Sequence, residues 1–356
     1  MLPFPPPPTD LLALSEGAMV EFVRERGWPT YRAAQILRWL YQGRVRSFAE
    51  MTNLAQKDRE HLAASCIIGR TRTVQTFASQ DGTTKFVLTL ADHTNIECVL
   101  IPDDERLTLC LSSQVGCTLD CGFCLTGTLG LTRNLRPHEI VDQVLLAQDH
   151  LTAEQRITNL VFMGMGEPAH NLDNVLEAIQ LLGSEGGIGH KNLVFSTVGD
   201  PRVFERLPVG RVKPALALSL HSTLPERRAQ LLPRAPRIDP AELVAAAGRY
   251  AQATGYPVQY QWTLIEGVND GDDEVEGIAR LLAGQYAVMN LIPYNAVTEL
   301  PWRRPSWEHA ADMARRLHRR GVLTKLRQSA AQDVDGGCGQ LRARTVTVSP
   351  PRFLLA

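Results

Sequence analysis

The chain has 356 residues, 44% of them hydrophobic, and its 37 basic and 38 acidic side chains leave a net charge of −1. That length supports one large α/β domain, or a large domain with a small appendage, and no run approaches the ~18 apolar residues of a membrane span. Near-neutral charge excludes a globally basic nucleic-acid binder. The basic residues are five Lys and 32 Arg; Arg suits phosphate recognition, although a GC-rich genome produces the same bias.

The start, Met1-Leu-Pro-Phe-Pro-Pro-Pro-Pro8, lacks the basic and apolar regions of an export signal and reads as a polyproline-like arm. The expected location is therefore the cytoplasm, where thiols stay reduced. Residues 10–66 read as helical. Within them Tyr31–Tyr41 places Ala33, Ile36, Leu37, Leu40 and Tyr41 on one face. Arg32, Arg38, Arg44 and Arg46 of the same region are candidates for phosphate contact. Residues 67–104 read as a small β extension with strands at Thr84–Leu90 and Asn95–Ile101 and a turn at Asp92-His93-Thr94.

From about residue 105 to 330 the pattern alternates strand and helix, as in a parallel sheet with crossover helices. Expected strands are Leu107–Ser112, Asn159–Met163, Leu193–Ser196, Ala215–Leu220, Val258–Leu264 and Ala287–Pro293. Expected helices are Pro137–Ala147, Asp173–Leu182, Pro240–Ala253, Asp272–Leu282 and Trp307–Arg320. The last carries Arg315, Arg316, Arg319 and Arg320, which fit either a phosphate site or a solvated helix face. The fold class is α/β, a partial (βα)6 barrel open on one side, with residues 331–356 as a C-terminal loop and tail. In parallel barrels the active site forms at the C-terminal ends of the strands.

Directly after the first barrel strand comes Cys117-Thr-Leu-Asp-Cys121-Gly-Phe-Cys124. Three thiolates on one tight loop reach three corners of a cubane and leave the fourth iron without a protein ligand. Structural zinc takes four protein ligands, and an odd total of seven cysteines does not suit a disulfide framework. Other strand-end residues continue the ring: Gly166 and Glu167 in Met163–Pro168, Ser196, then Ser219-Leu220-His221, and Asn295. Glycines there let backbone approach a ligand, and Glu167 suits a cationic amine.

The Cys motif and the Gly166-Glu167-Pro168 element resemble the radical S-adenosylmethionine (SAM) enzymes. Leu109-Cys110-Leu-Ser-Ser-Gln-Val-Gly116-Cys117, Gly127–Leu135, Phe162–Pro168, Asn171–Asn174 and Leu218–Ser222 are similar to one family within them. So are Gly267–Asp270, Asn290–Asn295 and Gly337–Leu341. That family is the radical SAM RNA adenine methyltransferases of the RlmN/Cfr type, and the likeness runs from about Arg24 to Leu341.

The resemblance implies a [4Fe–4S] cluster on Cys117, Cys121 and Cys124, and SAM contacts from Gly166, Glu167, Ser196, Ser219, Leu220, His221 and Asn295. It implies two SAM molecules per turnover. One methylates Cys338, because an electrophilic ring carbon of adenine has no lone pair with which to attack SAM. The other is cleaved to a radical that activates the S-methyl group for addition to that carbon. Cys110 then attacks the Cys338 sulfur, forming a transient disulfide, and Glu97 or Cys110 takes the ring proton. The expected substrate is an adenosine of 23S rRNA, with tRNA a second substrate in some members, and the expected electron donor is a flavodoxin or ferredoxin. Carbon 2 is the expected position; carbon 8, the antibiotic-resistance chemistry, is the alternative.

The glycine-flanked loop Gly336–Gly339 is expected to be flexible, delivering one sulfur to two partners. Cys66 and Cys98 are expected to be small buried residues. Three departures from the family bear on substrate: Arg234-Ala235-Pro236 in place of an Asn and a basic stretch, Leu125 in place of a small or polar residue, and the short tail ending in the apolar Pro350-Pro351-Arg-Phe-Leu-Leu-Ala356. The rival readings are a radical SAM enzyme with a non-RNA substrate and a non-catalytic Fe–S RNA-binding protein.

Overall fold

Helical spacing and side-chain caps build the N-terminal segment. After the short strand β1 (Thr9–Asp10) come α1 (Glu16–Glu25), α2 (Tyr31–Tyr41) and α3 (Gln56–Ser65), then β2 (Cys66–Ile67). Ser15 Oγ accepts from the Ala18 N–H and starts α1. The expected apolar face of α2 is buried, each large side chain contributing about 1.5–3 kcal/mol. Parallel pairing of β1 with β2 joins the two ends of the segment. This computed structural model describes residues 8–103 and 106–343. Nearly all of the Pro-rich start, the boundary at 104–105 and the tail beyond 343 lie outside the described residues.

The next strands are β3 (Arg72–Ala78), β4 (Thr84–Thr89), β5 (Asn95–Asp103) and β6 (Arg106–Cys110). They pair antiparallel in succession. The β extension is therefore not an appendage ahead of the main domain: it continues the same sheet. Strands β7 (Gln114–Gly116) and β8 (Leu131–Asn134) form an antiparallel ribbon. Between them lies the three-cysteine loop with its single turn of helix, α4 (Leu125–Thr128).

The remainder alternates as expected. It runs α5 (Pro137–Asp149), β9 (Asn159–Phe162), α6 (Leu172–Ser184), β10 (Leu193–Thr197), α7 (Pro201–Arg206) and β11 (Ala215–Ser219). Then come α8 (Pro225–Leu231), α9 (Pro240–Thr254), β12 (Val258–Leu264), α10 (Asp272–Leu281), β13 (Ala287–Pro293), α11 (Trp307–Arg319) and β14 (Thr324–Leu326). α9 shows the local logic: Asp239 caps the Ala241 N–H, Pro240 holds the first helical position, and Gly255 closes the end at φ 73°.

Strand order in the ten-stranded sheet is β14-β13-β12-β11-β10-β9-β6-β5-β4-β3. From β6 through β14 every neighbour is parallel. The sheet is open, with β3 and β14 at its edges, and six strand–helix units are followed by one more strand. Three-residue β14, just after Gly321, is too short to show an alternating pattern, and α7 is only six residues long; both are additions to the expected elements.

The two arginine groups are largely neutralised. Arg44 and Arg46 pair with Asp149 at the end of α5, at 3.6 and 2.9 Å, and Arg32 lies 3.8 Å from Asp58. Arg70 joins them through Asp142 and Asp149, so this group clamps the N-terminal segment onto α5. On α11 and at its C-cap, Arg315, Arg316 and Arg320 meet Asp312, Asp272 and Glu276. That helix face is an ion-paired surface.

Candidate functional site

The β7–β8 ribbon presents the cysteine loop. Cys117 N–H donates to Gly130 O at 3.0 Å across the ribbon, and Cys124 N–H donates to Cys121 O at 3.0 Å. Gly116 has φ 81°, and a Cβ there would sit 1.8 Å from the Gly130 carbonyl oxygen. Gly116→Ala is therefore expected to cost about 2–4 kcal/mol through backbone strain and overlap, read as a lowered Tm with reduced iron content. On the outer side Gly122 N–H donates to Leu231 O at 3.1 Å, and Trp302 Nε1 donates to Gly122 O.

Asparagines absorb the other ends of this support. Asn171 Nδ2 donates to Ser113 O and Leu135 O at 2.8 and 2.7 Å. Asn174 Nδ2 donates to Leu135 O at 3.1 Å, and Asn269 Nδ2 donates to His221 O at 2.7 Å. The motif asparagines thus hold strand ends and loops in place.

The three thiols share one apolar wall with Leu119, Phe123, Val198 and Tyr294. Burial pushes the Cys117 thiol up to about 12, against the opposing Leu119 N–H, and pushes Cys121 well above the ordinary thiol range with Cys124 and Cys117 adding to it. Three thiols on one loop against this wall suit a cubane, where each thiolate takes a different corner. Orphaned buried polar atoms also lie along the mouth: Asn295 Oδ1 and Ser113 Oγ have no hydrogen-bond partner among the described residues. Such atoms fit a polar cofactor.

The C-terminal loop is seated on the cysteine loop. Leu125 N–H donates to Gly339 O at 2.8 Å, and Thr126 Oγ1 donates to Leu341 O at 2.6 Å. Asn295 Nδ2 holds the Cys338 carbonyl at 3.0 Å. A Cβ on Gly337 would meet Gln340 Oε1 at 2.7 Å, and one on Gly336 would meet Ala331 Cβ at 2.6 Å. The glycine loop is therefore close-packed in this structure; its glycines serve tight approach where sequence suggested free motion. The Leu125 departure has a simple account: its backbone makes the contact and its side chain is buried.

Cys110 ends β6. Its thiol is pushed up by burial first and by the neighbouring Cys338 thiol second. Cys338 reaches solvent, yet surrounding protein mass still raises its thiol, with Arg327 opposing and Cys124 adding. All seven cysteines are free thiols, and Cys66 and Cys98 are buried.

Glu167 is buried after β9, where its carboxylate accepts from Ala169 N and Val198 N, both at 3.3 Å. Burial pushes it up to about 7 in spite of these donors. Gly166, at φ 101°, passes so close to Gln114 that a Cβ would lie 2.6 Å from its side chain. Ser196 is buried on β10 and Ser219 ends β11. Leu220 is fully buried, and His221, at φ 58°, accepts from Thr263 N at 2.9 Å with its ring edge-on to Phe123 at 4.8 Å. Burial first, then Arg228, lowers His221 to about 3, so this imidazole is neutral. Both side chains are committed to scaffold contacts.

Glu97, on β5, is buried, and both carboxylate oxygens are engaged. Oε1 lies 3.7 Å from Lys85 Nζ, and Oε2 accepts from Arg342 N–H at 3.0 Å. Sequence reasoning passed over Lys85 and Arg228. Buried Arg228, on α8, donates to the carbonyls of Val198, Leu220 and Ser219 at the ends of β10 and β11. Burial lowers it to about 10, and Cys121 and Glu167 oppose that, so it stays cationic beside them. Nothing in the run Pro-Glu-Arg-Arg-Ala marks which arginine turns inward.

Residues 9–68 match the ribosomal RNA large subunit methyltransferase N-terminal domain, and residues 111–282 match the radical SAM superfamily. A probable RNA methyltransferase of Methylibium petroleiphilum is 66% identical over 78% of this chain and 77% of its own. Another, of Pseudomonas aeruginosa, is 59% identical over 86% of this chain and 82% of its own. The chain belongs to the RlmN family of radical SAM RNA methyltransferases. A solved radical SAM methyltransferase from Sphaerobacter thermophilus overlays this RlmN-family enzyme with TM-score 0.88 and 37% identity, covering 95% of this chain and 100% of the other. As a family member it is a SAM-dependent methyltransferase that uses a [4Fe–4S] cluster. No helix among its described residues is long and apolar enough to cross a membrane.

Proposed function

We propose that the enzyme methylates carbon 2 of an adenosine in 23S rRNA, in the cytoplasm, with Cys338 as methyl carrier and Cys110 as resolving thiol. One observation carries this reading: the loop bearing Cys338 is hydrogen-bonded onto the cysteine loop, and the Cys110 thiol at the end of β6 feels the charge of Cys338. In this reading Cys117, Cys121 and Cys124 hold the cluster. Gly166, Glu167, Ser196, Ser219, Leu220, His221 and Asn295 form the SAM side of the mouth, in part through backbone. A cationic amine beside Glu167 returns its carboxyl to the charged form.

Bound SAM and reduced cluster supply a transferable methyl group and a one-electron route to activating it. The Cys338 thiolate accepts the methyl by displacement at carbon. Once that carbon is bonded to the adenine ring and the ring proton has left to Glu97, the Cys110 thiolate attacks the Cys338 sulfur: an S–S bond forms as the C–S bond breaks, and the carbon keeps the electron pair and takes a proton to become the methyl group. A thiol reductant then reopens the disulfide. The target base must leave its stack to reach the mouth. A flavodoxin or ferredoxin serves as one-electron donor, and a tRNA adenosine is a second substrate to test.

Reconstituted enzyme is incubated with rRNA and tRNA separately, and digests are compared with 2-methyl- and 8-methyladenosine by mass spectrometry. The expected product is 2-methyladenosine from rRNA. Recovery of 8-methyladenosine would overturn the position, and intact SAM cleavage with neither product would overturn the substrate.

A further inference from the structure

We propose that Lys85 is a positioning residue that latches the Cys338 loop to the sheet. The inference deepens the carrier reading and rests on it. Lys85 is a buried ammonium on β4, 4.9 Å from the Phe77 ring centroid, and β4 pairs with the strand carrying Glu97. Its Nζ lies 3.7 Å from Glu97 Oε1 and donates to the Asp335 carbonyl at 3.2 Å. The other Glu97 oxygen holds the Arg342 N–H at 3.0 Å. One buried cation and one buried carboxylate therefore grip the chain on both sides of Cys338, at Asp335 and at Arg342.

The gripped segment needs such a hold. Ala331 and Asp335 both sit in the left-handed region, at φ 53° and 52°, a conformation that non-glycine residues keep only where surroundings impose it. The β3–β4 turn fixes the first: Asp81 Oδ2 accepts from Ala331 N at 2.8 Å, while Ser79 Oγ donates to Asp333 Oδ1 at 2.5 Å. Two groups fix the second: Lys85 at the Asp335 carbonyl, and the Arg342 guanidinium at its carboxylate, 2.9 Å away. Removing its charge leaves Glu97 buried without a cationic partner, a costly state that structures relieve by rearranging. The nearest rearrangement is release of Arg342 and, with it, of the Cys338 loop.

The test compares wild type, Lys85→Met and Lys85→Arg as cluster-loaded full chains. Alkylation of Cys338 by iodoacetamide is followed by peptide mass spectrometry, alongside 5′-deoxyadenosine and methylated RNA. Lys85→Met is expected to alkylate Cys338 about tenfold faster, the loss of one charged hydrogen bond, and to release more 5′-deoxyadenosine per methylated adenosine. Lys85→Arg is expected to restore both toward wild type. A wild-type alkylation rate and unchanged product ratio in Lys85→Met would overturn the latch, as would failure of both variants alike. Should Lys85→Met lose iron or helical circular dichroism, Lys85→Gln takes its place, with an intermediate rise in alkylation expected and no rise counting against the latch. If Cys338→Ala still methylates RNA, the carrier reading falls, while the alkylation comparison still decides the latch.

Discussion

Cys338→Ala is expected to lose RNA methylation by more than about 10³-fold, as removal of a covalent nucleophile does, with iron content unchanged. Its partner variant, Cys110→Ala, is expected to behave differently: methyl transfer to Cys338 proceeds, and an RNA–protein adduct through Cys338 accumulates. The contrast follows from placement. Cys338 sits at solvent on a loop held by Asn295 and the cysteine loop, whereas Cys110 is fixed at the end of β6 with Cys338 as its thiol neighbour. In the proposed roles the exposed thiol is the one that meets RNA, and the less exposed one meets the first thiol. Denaturing gels with nuclease digestion and peptide mass spectrometry read the adduct. If Cys110→Ala turns over freely without an adduct, the resolving role is wrong.

Alanine at Cys121 is expected to abolish cluster assembly and, through it, both SAM cleavage and methylation. Three thiolates are the full protein ligand set of the proposed cubane, so losing one leaves two irons without a protein ligand. Cys121 is also the thiol flanked by the others, by Glu167 and by cationic Arg228. Iron and sulfide assay, together with the visible absorption of reconstituted protein, provides the measurement. The fold is expected to persist, because the loop is held by backbone bonds at Gly122, Cys124 and Leu125. A variant retaining about four irons per chain and SAM cleavage would remove Cys121 from the set.

The parallel sheet was legible because its strands are apolar runs separated by amphipathic helices; β12 and β13 begin and end where their sequence patterns do. Short elements were not. β14 has three residues, and α7 has six, too few for either period to show. β4 and β5 read correctly as strands, β3 did not show in the pattern, and which edge the three join is a long-range fact. Their pairing to β6 placed Glu97 and Lys85 under the C-terminal loop.

Local spacing by itself determined the chemistry that one loop can carry: three cysteines within eight residues on a strand-to-helix connection, and glycines where backbone must pass close. Tertiary structure decided what meets that loop. Cys110 and Cys338 are 228 positions apart, and Lys85 and Asp335 are 250 apart. No pattern along a chain records whether a buried charge finds a partner across such a distance. Burial makes an unpaired charge too costly to keep, and only packing decides which group satisfies it.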